Sequence, residues 1–504
     1  LDGLIKKNKI MNTTRRTFLK SGLITSTIGL NLNASPKKIV SDPLCAPAKS
    51  IKKFTLNNEP KRIRKSFYDL TDDELRNLCK AVGYMRNDIP TDSPLHWENY
   101  GRQHAHHCTE ASEGNPQVHW SWYFLPWHRG YVYFLERILA NILTTQFKVD
   151  GSKFAYPYWD WMTHKEIPNT HLRVQAGLAS PLFGYDITQE DMVNADNLGF
   201  DNTALYDGNR GPTILKPTMD PNNELTVDSQ NHVKETLYYM SPEYIGQILA
   251  APFEQFGGGS TIDRTTGQGL LEQGPHNDGH DWVGTRIGKN RSMGTLRYAA
   301  LDPIFYMHHG NIDRIFSMYK NPMPDLDGPW GQQTYQYTDI DGSWVTVSVK
   351  DIMTGISGNI SYGDNNYSGL LTSTKPKKVT RSVKSTINQE ITNKPVVVNV
   401  KSVDDILKSQ TALLDVTMGP ITYTGKYQID IYIKDANGVQ TKVGRIRMLD
   451  GEHRKDTNPK TTHKFSVALK LMTAPPTGNV ELTFVPPKNG VRMYIKNVEW
   501  MSLG

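Results

Sequence analysis

Residues 125–143 read L125-P-W-H128-R-G-Y-V-Y-F-L-E-R-I-L-A-N-I-L143, and this stretch decides the fold. Its apolar residues fall on most sides of a helix, and a helix that is apolar all round belongs at the centre of a core. The helical pattern extends from Trp120 to Phe147, long enough to be the spine of a helical domain. His128 and Arg129 interrupt the apolar text at its start, so the most buried helix opens on a histidine.

That histidine has company. The chain holds 15 histidines, and twelve of them lie from His104 to His309. Upstream stand H104-A-H-H-C108 and V-H119-W-S-W. Downstream stand P-H276-N-D-G-H280-D-W and D302-P-I-F-Y-M-H308-H309-G-N-I-D313-R. His276 and His280 are one helical turn apart, so on a helix their imidazoles face the same way. His309 and Asp313 share that spacing, which places Asp313 to accept a ring N–H from His309 and fix its tautomer. Two groups of imidazoles suit two borderline-soft ions such as copper, whose chemistry through a monovalent state favours neutral donors. No carboxylate occupies the Glu-x-x-His pattern of di-iron bundles, and one zinc ion would leave half of the histidines idle. Only one member of the 104–107 group need be a ligand. Isolated histidines such as His96, His164, His171, His232, His453 and His463 read as surface or hydrogen-bonded core residues.

Further helices are expected from Thr71-Asp72-Asp73-Glu74, which offers a cap and an acidic first turn, over 237–249, around His276, and over 303–319. Residues 165–230 and 257–275 read as long loops serving a site or an interface. Residues 344–352 alternate as a strand. The stretch 355–395 is rich in Ser, Gly, Lys and Thr and reads as a linker. Past 395, segments such as YQIDIYIKD and NVELTFVPP alternate with period two between turn residues, the pattern of a β-sandwich. The expected fold is therefore a mainly α catalytic domain, with a four-helix bundle around a dicopper centre, followed by a C-terminal β-sandwich. The expected divisions are 1–36 for a signal region, 37–325 for the dicopper domain, 326–394 for a middle segment and linker, and 395–504 for a β-sandwich.

Composition narrows the partners. Net charge is +6 over 504 residues, and the basic residues are spread rather than clustered, so no nucleic-acid footprint is expected. Small molecules remain the expected partners, and no membrane span is expected. Near the N-terminus, T-R-R-T-F-L-K around Arg15 and Arg16 precedes an apolar stretch from Leu23 to Leu32. It is too short and too polar to cross a bilayer and resembles a bacterial twin-arginine export signal. An exported protein, periplasmic or secreted, is expected from it. Of Cys45, Cys79 and Cys108, export allows one disulfide, with Cys45–Cys79 the candidate pair.

The histidine motifs resemble those of the type-3 copper proteins, namely tyrosinases, catechol oxidases and haemocyanins, and among them the plant-type polyphenol oxidases, here in a bacterial exported form. The resemblance covers residues 70–320 most strongly and continues through HKFSVALKL at 463–471. It implies His104, His119 and His128 on copper A, and His276, His280 and His309 on copper B, with His308 a neighbour. It implies a thioether between Cys108 and His119. In the family the last domain often shields the active site. Three departures stand out. Ala105 replaces a cysteine, the paired N-terminal disulfides cannot form, and Leu296 stands thirteen residues before His309 where many plant members carry Phe. A flexible aliphatic side chain there implies a wider entrance.

The resemblance implies a polyphenol oxidase or tyrosinase, using two coppers with O2 as co-substrate and small phenols as substrates. It would hydroxylate monophenols at the ortho position and oxidise o-diphenols to o-quinones. Monophenol chemistry needs a base, because a phenol has a pKa near ~10. The family pattern offers Glu272 and Asn277 for holding a basic water. Asp281 is placed to attract amine-bearing phenols or to pair with Arg286 or Arg291. The alternative within enzymes is a catechol oxidase or o-aminophenol oxidase without monophenol activity. An oxygen carrier would share the ligands and is the rival of another class.

Overall fold

The computed structural model describes residues 51–56, 59–109, 118–163, 204–205, 234–259, 267–283, 293–363, 376–401, 404–408, 411–423, 427–448, 454–455, 460–486 and 492–504. The signal-like segment, Cys45, His164, His171, His232, His453, Arg286 and Arg291 lie outside the described residues, as does most of the 165–230 loop. The candidate pairing of Cys79 with Cys45 therefore lies outside them too.

The helical part is laid down by local signals. Helix α1, Asp72–Asn87, starts at a capping box in which Thr71 accepts from the Glu74 amide and Glu74 accepts from the Thr71 amide. Such caps satisfy backbone donors that the first turn cannot. Helix α2, Trp97–Thr109, carries His104. Helix α3, Phe124–Gln146, is buried from Phe124 to Ala140 without interruption, as its apolar text requires. Helix α4 is Pro242–Leu249, opened by Ser241 and by Pro242 in its first turn. The break before Pro242 shortens the helix expected over 237–249, because proline cannot continue a helix from its N-terminal side. Helix α5, Asn277–Val283, is continuous with a π-helical turn, Glu272–His276, that contains Pro275. Helix α6, Pro303–Met318, is capped by Asp302, whose side chain accepts from the Ile304 amide. A capping Asp followed by Pro at the first position is a strong helix start, so the Asp302–Pro303 dipeptide fixes where the His308–His309 pair falls.

Behind the histidines the helices are tied by a buried ion network. Arg64, fully buried, donates to Glu136 on α3 at 2.7 and 3.1 Å and to Asp313 on α6 at 2.8 Å. Asp313 also accepts from Arg129 Nε at 2.7 Å and from the Tyr362 hydroxyl at 2.7 Å. Two arginines and two carboxylates cancel in charge. Each carboxylate has several donors, which is what makes burying them tolerable.

The strand expected over 344–352 ends at Ser348, whose hydroxyl caps a short helical turn, Val349–Asp351. The C-terminal part is a sandwich of two four-stranded antiparallel sheets. Its strands are β1 Val379–Ile391, β2 Val396–Val400, β3 Ala412–Met418, β4 Tyr427–Lys434, β5 Gln440–Met448, β6 His463–Ala468, β7 Val480–Val485 and β8 Met493–Leu503. One sheet has the order β5-β4-β7-β2 and the other β6-β3-β8-β1. Strand β1 lies inside the stretch read as a linker. It is an edge strand paired only with β8, and most of its side chains face solvent, so its sequence lacks an apolar face. The mainly α domain with a C-terminal β-sandwich is the expected fold class.

Arg64→Ala would leave two buried carboxylates short of donors. Breaking a buried pair from one side typically costs about 3–5 kcal/mol. A denaturant titration of the variant is expected to show a loss of that order, and a loss below about 1 kcal/mol would mean the network is solvated.

Candidate metal centre

The histidines come together at the centre of the helical domain. His104 projects from α2, His128 from the first turn of α3, and His119 from the turn before α3. One candidate donor atom from each lies within 4.8 Å of the other two. His276 ends the π turn and His280 lies on α5. The two groups adjoin: the His128 and His309 rings stack at 4.1 Å with an interplanar angle of 10°, and His119 and His276 are 5.7 Å apart between centroids.

Ring orientation is set from outside. His104 Nδ1 lies 2.9 Å from the Leu296 carbonyl, His128 Nδ1 2.7 Å from the Phe124 carbonyl, and His280 Nδ1 2.8 Å from the Met293 carbonyl. His276 Nδ1 lies 3.0 Å from Asn277 Oδ1. Each oxygen can only accept, so in these four rings Nδ1 carries the proton and Nε2 keeps a lone pair. His276 Nε2 and His280 Nε2 are 3.0 Å apart. Two lone pairs facing one another in a dry interior repel unless a cation lies with them. Nε2 of His104 and of His128, and both ring nitrogens of His119 and His309, are buried without a hydrogen-bond partner. Burial lowers the basicity of these rings, His104 to about 3, so they are neutral donors at any physiological pH. Six buried imidazoles, four of them with unpartnered nitrogens and two with Nε2 atoms facing one another, fit a pair of copper ions, and the donor set contains no carboxylate.

Distance alone groups His308 with His276 and His280. Hydrogen bonding separates it from them. His308 Nε2 lies 3.0 Å from the His276 carbonyl, and its Nδ1 accepts from the Trp161 indole at 3.3 Å, so neither nitrogen keeps a free lone pair. A Cβ on Gly279 would stand 2.1 Å from the His308 ring, so that ring fills the gap between α5 and α6. His309 keeps both nitrogens. The expected contact of His309 with Asp313 is absent: Asp313 is committed to Arg64, Arg129 and Tyr362. The i, i+4 spacing was satisfied, but two buried guanidinium groups outcompete a neutral imidazole for a carboxylate.

The other expected site residues have distinct surroundings. Glu272, 1% exposed, accepts from the Trp120 amide at 3.1 and 3.2 Å and from Gln268 at 3.3 Å. Burial pushes its carboxyl up to about 8, against the lowering effect of the Trp120 amide and Gln268. Asn277 donates to the Gln268 side chain at 3.2 Å and to the Arg447 carbonyl at 2.9 Å, so its amide is committed on both ends. Asp281 pairs with Arg447 on β5, a partner that sequence distance concealed; Arg286 and Arg291 lie outside the described residues. Asp278, next to it on the same helix face, pairs with both Arg445 and Arg447. Leu296 is buried, and its carbonyl holds His104. Cys108 is buried on α2, and burial raises its thiol pKa.

Because Glu272 has a raised folded-state pKa, its stabilising contribution is complete below the ordinary value of 4.5 and is lost as pH rises through about 8. Metal-free protein is expected to lose stability across that window, and Glu272→Gln to flatten the loss. Identical pH–stability curves for the two apoproteins would show that the carboxyl ionises at its ordinary value.

Residues 94–322 match the common central domain of tyrosinase. The chain is 26% identical over 488 residues to a chloroplastic polyphenol oxidase of Vitis vinifera, covering 88% of this chain and 76% of that one. It is 29% identical over 325 residues to the latent form of a chloroplastic polyphenol oxidase of Prunus armeniaca, covering 61% of this chain and 50% of that one. A solved latent aurone synthase, itself a polyphenol oxidase, shares the fold with a TM-score of 0.67 at 21% identity, over 94% of this chain and 96% of that one. The two polyphenol oxidases of Vitis vinifera and Prunus armeniaca are chloroplastic plant proteins, which overturns the expectation of a bacterial, twin-arginine-exported, periplasmic or secreted form. A short Arg-Arg signature is a weak signal, since few residues carry it. With two buried histidine clusters built for a metal pair, and residues 94–322 matching the tyrosinase central domain around them, the protein is a copper-dependent oxidoreductase of the tyrosinase and polyphenol oxidase type, with O2-dependent phenol oxidation as its chemistry.

Proposed function

We propose that this protein is a polyphenol oxidase of tyrosinase type, hydroxylating monophenols at the ortho position and oxidising o-diphenols to o-quinones. The observation that carries the finer reading is the buried carboxyl of Glu272, four residues before His276, with a pKa raised to about 8. When bound, the copper pair supplies O2 activation and takes two electrons from the phenol. The chain supplies the rest. His104, His119 and His128 hold one metal, and His276, His280 and His309 the other. Backbone carbonyls of Leu296, Phe124 and Met293 and the Asn277 amide keep four of the rings in one tautomer. Glu272 holds or releases a proton near neutrality, as taking the phenolic proton requires. Asn277 orients His276 through its side-chain oxygen.

The β-sandwich, within the expected 395–504 division, is proposed to shield this site. Arg447 reaches Asp278 and Asp281 beside His280, and its backbone holds Asn277 beside His276. A thioether between Cys108 and His119 remains part of the proposal. It would lock a ring that no protein hydrogen bond holds.

Copper-loaded full-length protein, its β-sandwich loosened by a mild detergent, is expected to oxidise catechol and to hydroxylate tyramine more slowly. Turnover of catechol with no consumption of tyramine would leave a catechol oxidase and sink the Glu272 role. His309→Ala is expected to bind one copper per chain, and His308→Gln two. The reverse result would exchange the two histidines. In the same preparations an intact mass two hydrogens light, unchanged by reductant, is expected from the thioether, and alkylation of Cys108 would remove it.

A further inference from the structure

Trp120 follows His119 directly and has a φ of 62°. A left-handed backbone costs a bulky residue about 1–3 kcal/mol, so its surroundings must hold it there. Two different parts of the molecule do so. The Trp120 amide donates to both oxygens of Glu272, and its carbonyl accepts from the Gly267 amide at 2.9 Å. These contacts belong to the wall of the metal centre. The indole does not. It is 2% exposed and packs into the core of the β-sandwich, edge-on to His463 at 5.5 Å and to Phe465 at 5.3 Å. Both partners lie on β6.

The seat is tight. A Cβ on Gly267 would stand 1.6 Å from the Lys464 carbonyl oxygen, so the chain that hydrogen-bonds Trp120 runs in backbone contact with β6. Gln273 bonds the Arg447 amide and the Ser466 carbonyl from the same turn.

His119 lacks the hydrogen bond that orients most of the other rings, and the proposed thioether would hold its ring without fixing the turn that carries it. Four of the six have Nδ1 pinned by an oxygen, and His309 is carried on α6. His119 lies in a turn, and neither of its nitrogens meets a protein partner.

We propose that Trp120 is the positioning residue for His119. Seated in the core of the β-sandwich, it fixes the turn that aims this imidazole at copper A. The β-sandwich therefore helps to retain one of the two coppers as well as covering the site. This rests on the assignment of His104, His119 and His128 to one metal.

The test is copper retention by the full-length chain. Trp120→Gly removes the ring while leaving a residue that adopts a positive φ without strain. Phe465→Ala empties the seat from the other side and leaves Trp120 in place. Both are loaded with Cu(II), challenged with a chelator, and followed by copper content and electron paramagnetic resonance. A coupled Cu(II) pair is silent in that measurement and a lone Cu(II) is not. Both variants are expected to lose their first copper roughly tenfold or more faster than the parent chain, the usual cost of a lost ligand-orienting contact. They are expected to pass through a state with one copper and a mononuclear signal. Loss of both coppers together, or retention like that of the parent, would overturn the proposal. If one variant fails to fold, the other decides. Fewer than two coppers in the parent chain would instead defeat the ligand assignment on which the proposal rests.

Discussion

The arrangement depends on one constraint: six imidazoles must be buried, uncharged, and aimed at one another. A histidine in water is partly protonated near neutrality, and a proton on a metal-facing nitrogen would abolish a donor. Burial removes that proton by making the charged form costly. It also leaves lone pairs without partners, which a folded protein does not keep unless a ligand offsets the cost. The 3.0 Å approach of the His276 and His280 Nε2 atoms is therefore a requirement for a metal written into the protein itself.

Much of the remaining structure serves that constraint. The carbonyls that pin Nδ1 come from Phe124, one turn before His128, and from Met293 and Leu296, in the segment leading to α6. Charge is kept nearby but not among the rings. Arg64, Arg129, Glu136 and Asp313 neutralise one another behind α3 and α6, so the helices are held by strong bonds without a net field on the centre. His308 follows the same logic, committing both nitrogens to hydrogen bonds and its bulk to filling the space left by Gly279.

What the sequence disclosed follows from range. Elements set by neighbours along the chain were legible: the Thr71 capping box, the Asp302–Pro303 helix start, the all-round apolar text of α3, and the paired histidines on α5. Interactions spanning the chain were not. Asp313 looked bound to His309 because the spacing allowed it, but its partners Arg64 and Arg129 stand 249 and 184 positions away. Asp281 reaches Arg447 on β5, far along the chain. Strand β1 was hidden for a different reason. An edge strand whose side chains mostly face solvent carries no alternating apolar signal, so its composition resembles a linker.

The same limit of range bears on how the two parts of the molecule work together. Asp278 and Asp281 lie on the side of α5 that meets β5, beside and not among the metal-facing positions 276 and 280. Alone, two acids so placed would be solvated, and nothing in their local text asks for a partner. Buried against Arg445 and Arg447 they need one, because an unpaired charge at that depth is costly. Taking the β-sandwich away therefore disturbs the site from several sides. It bares two carboxylates and their arginines, unseats the Trp120 ring, and frees the Asn277 amide from the Arg447 carbonyl. The helix that carries copper B and the turn that carries copper A both lose a neighbour at once. The β-sandwich and the histidine scaffold thus share residues, so neither can be disturbed without the other.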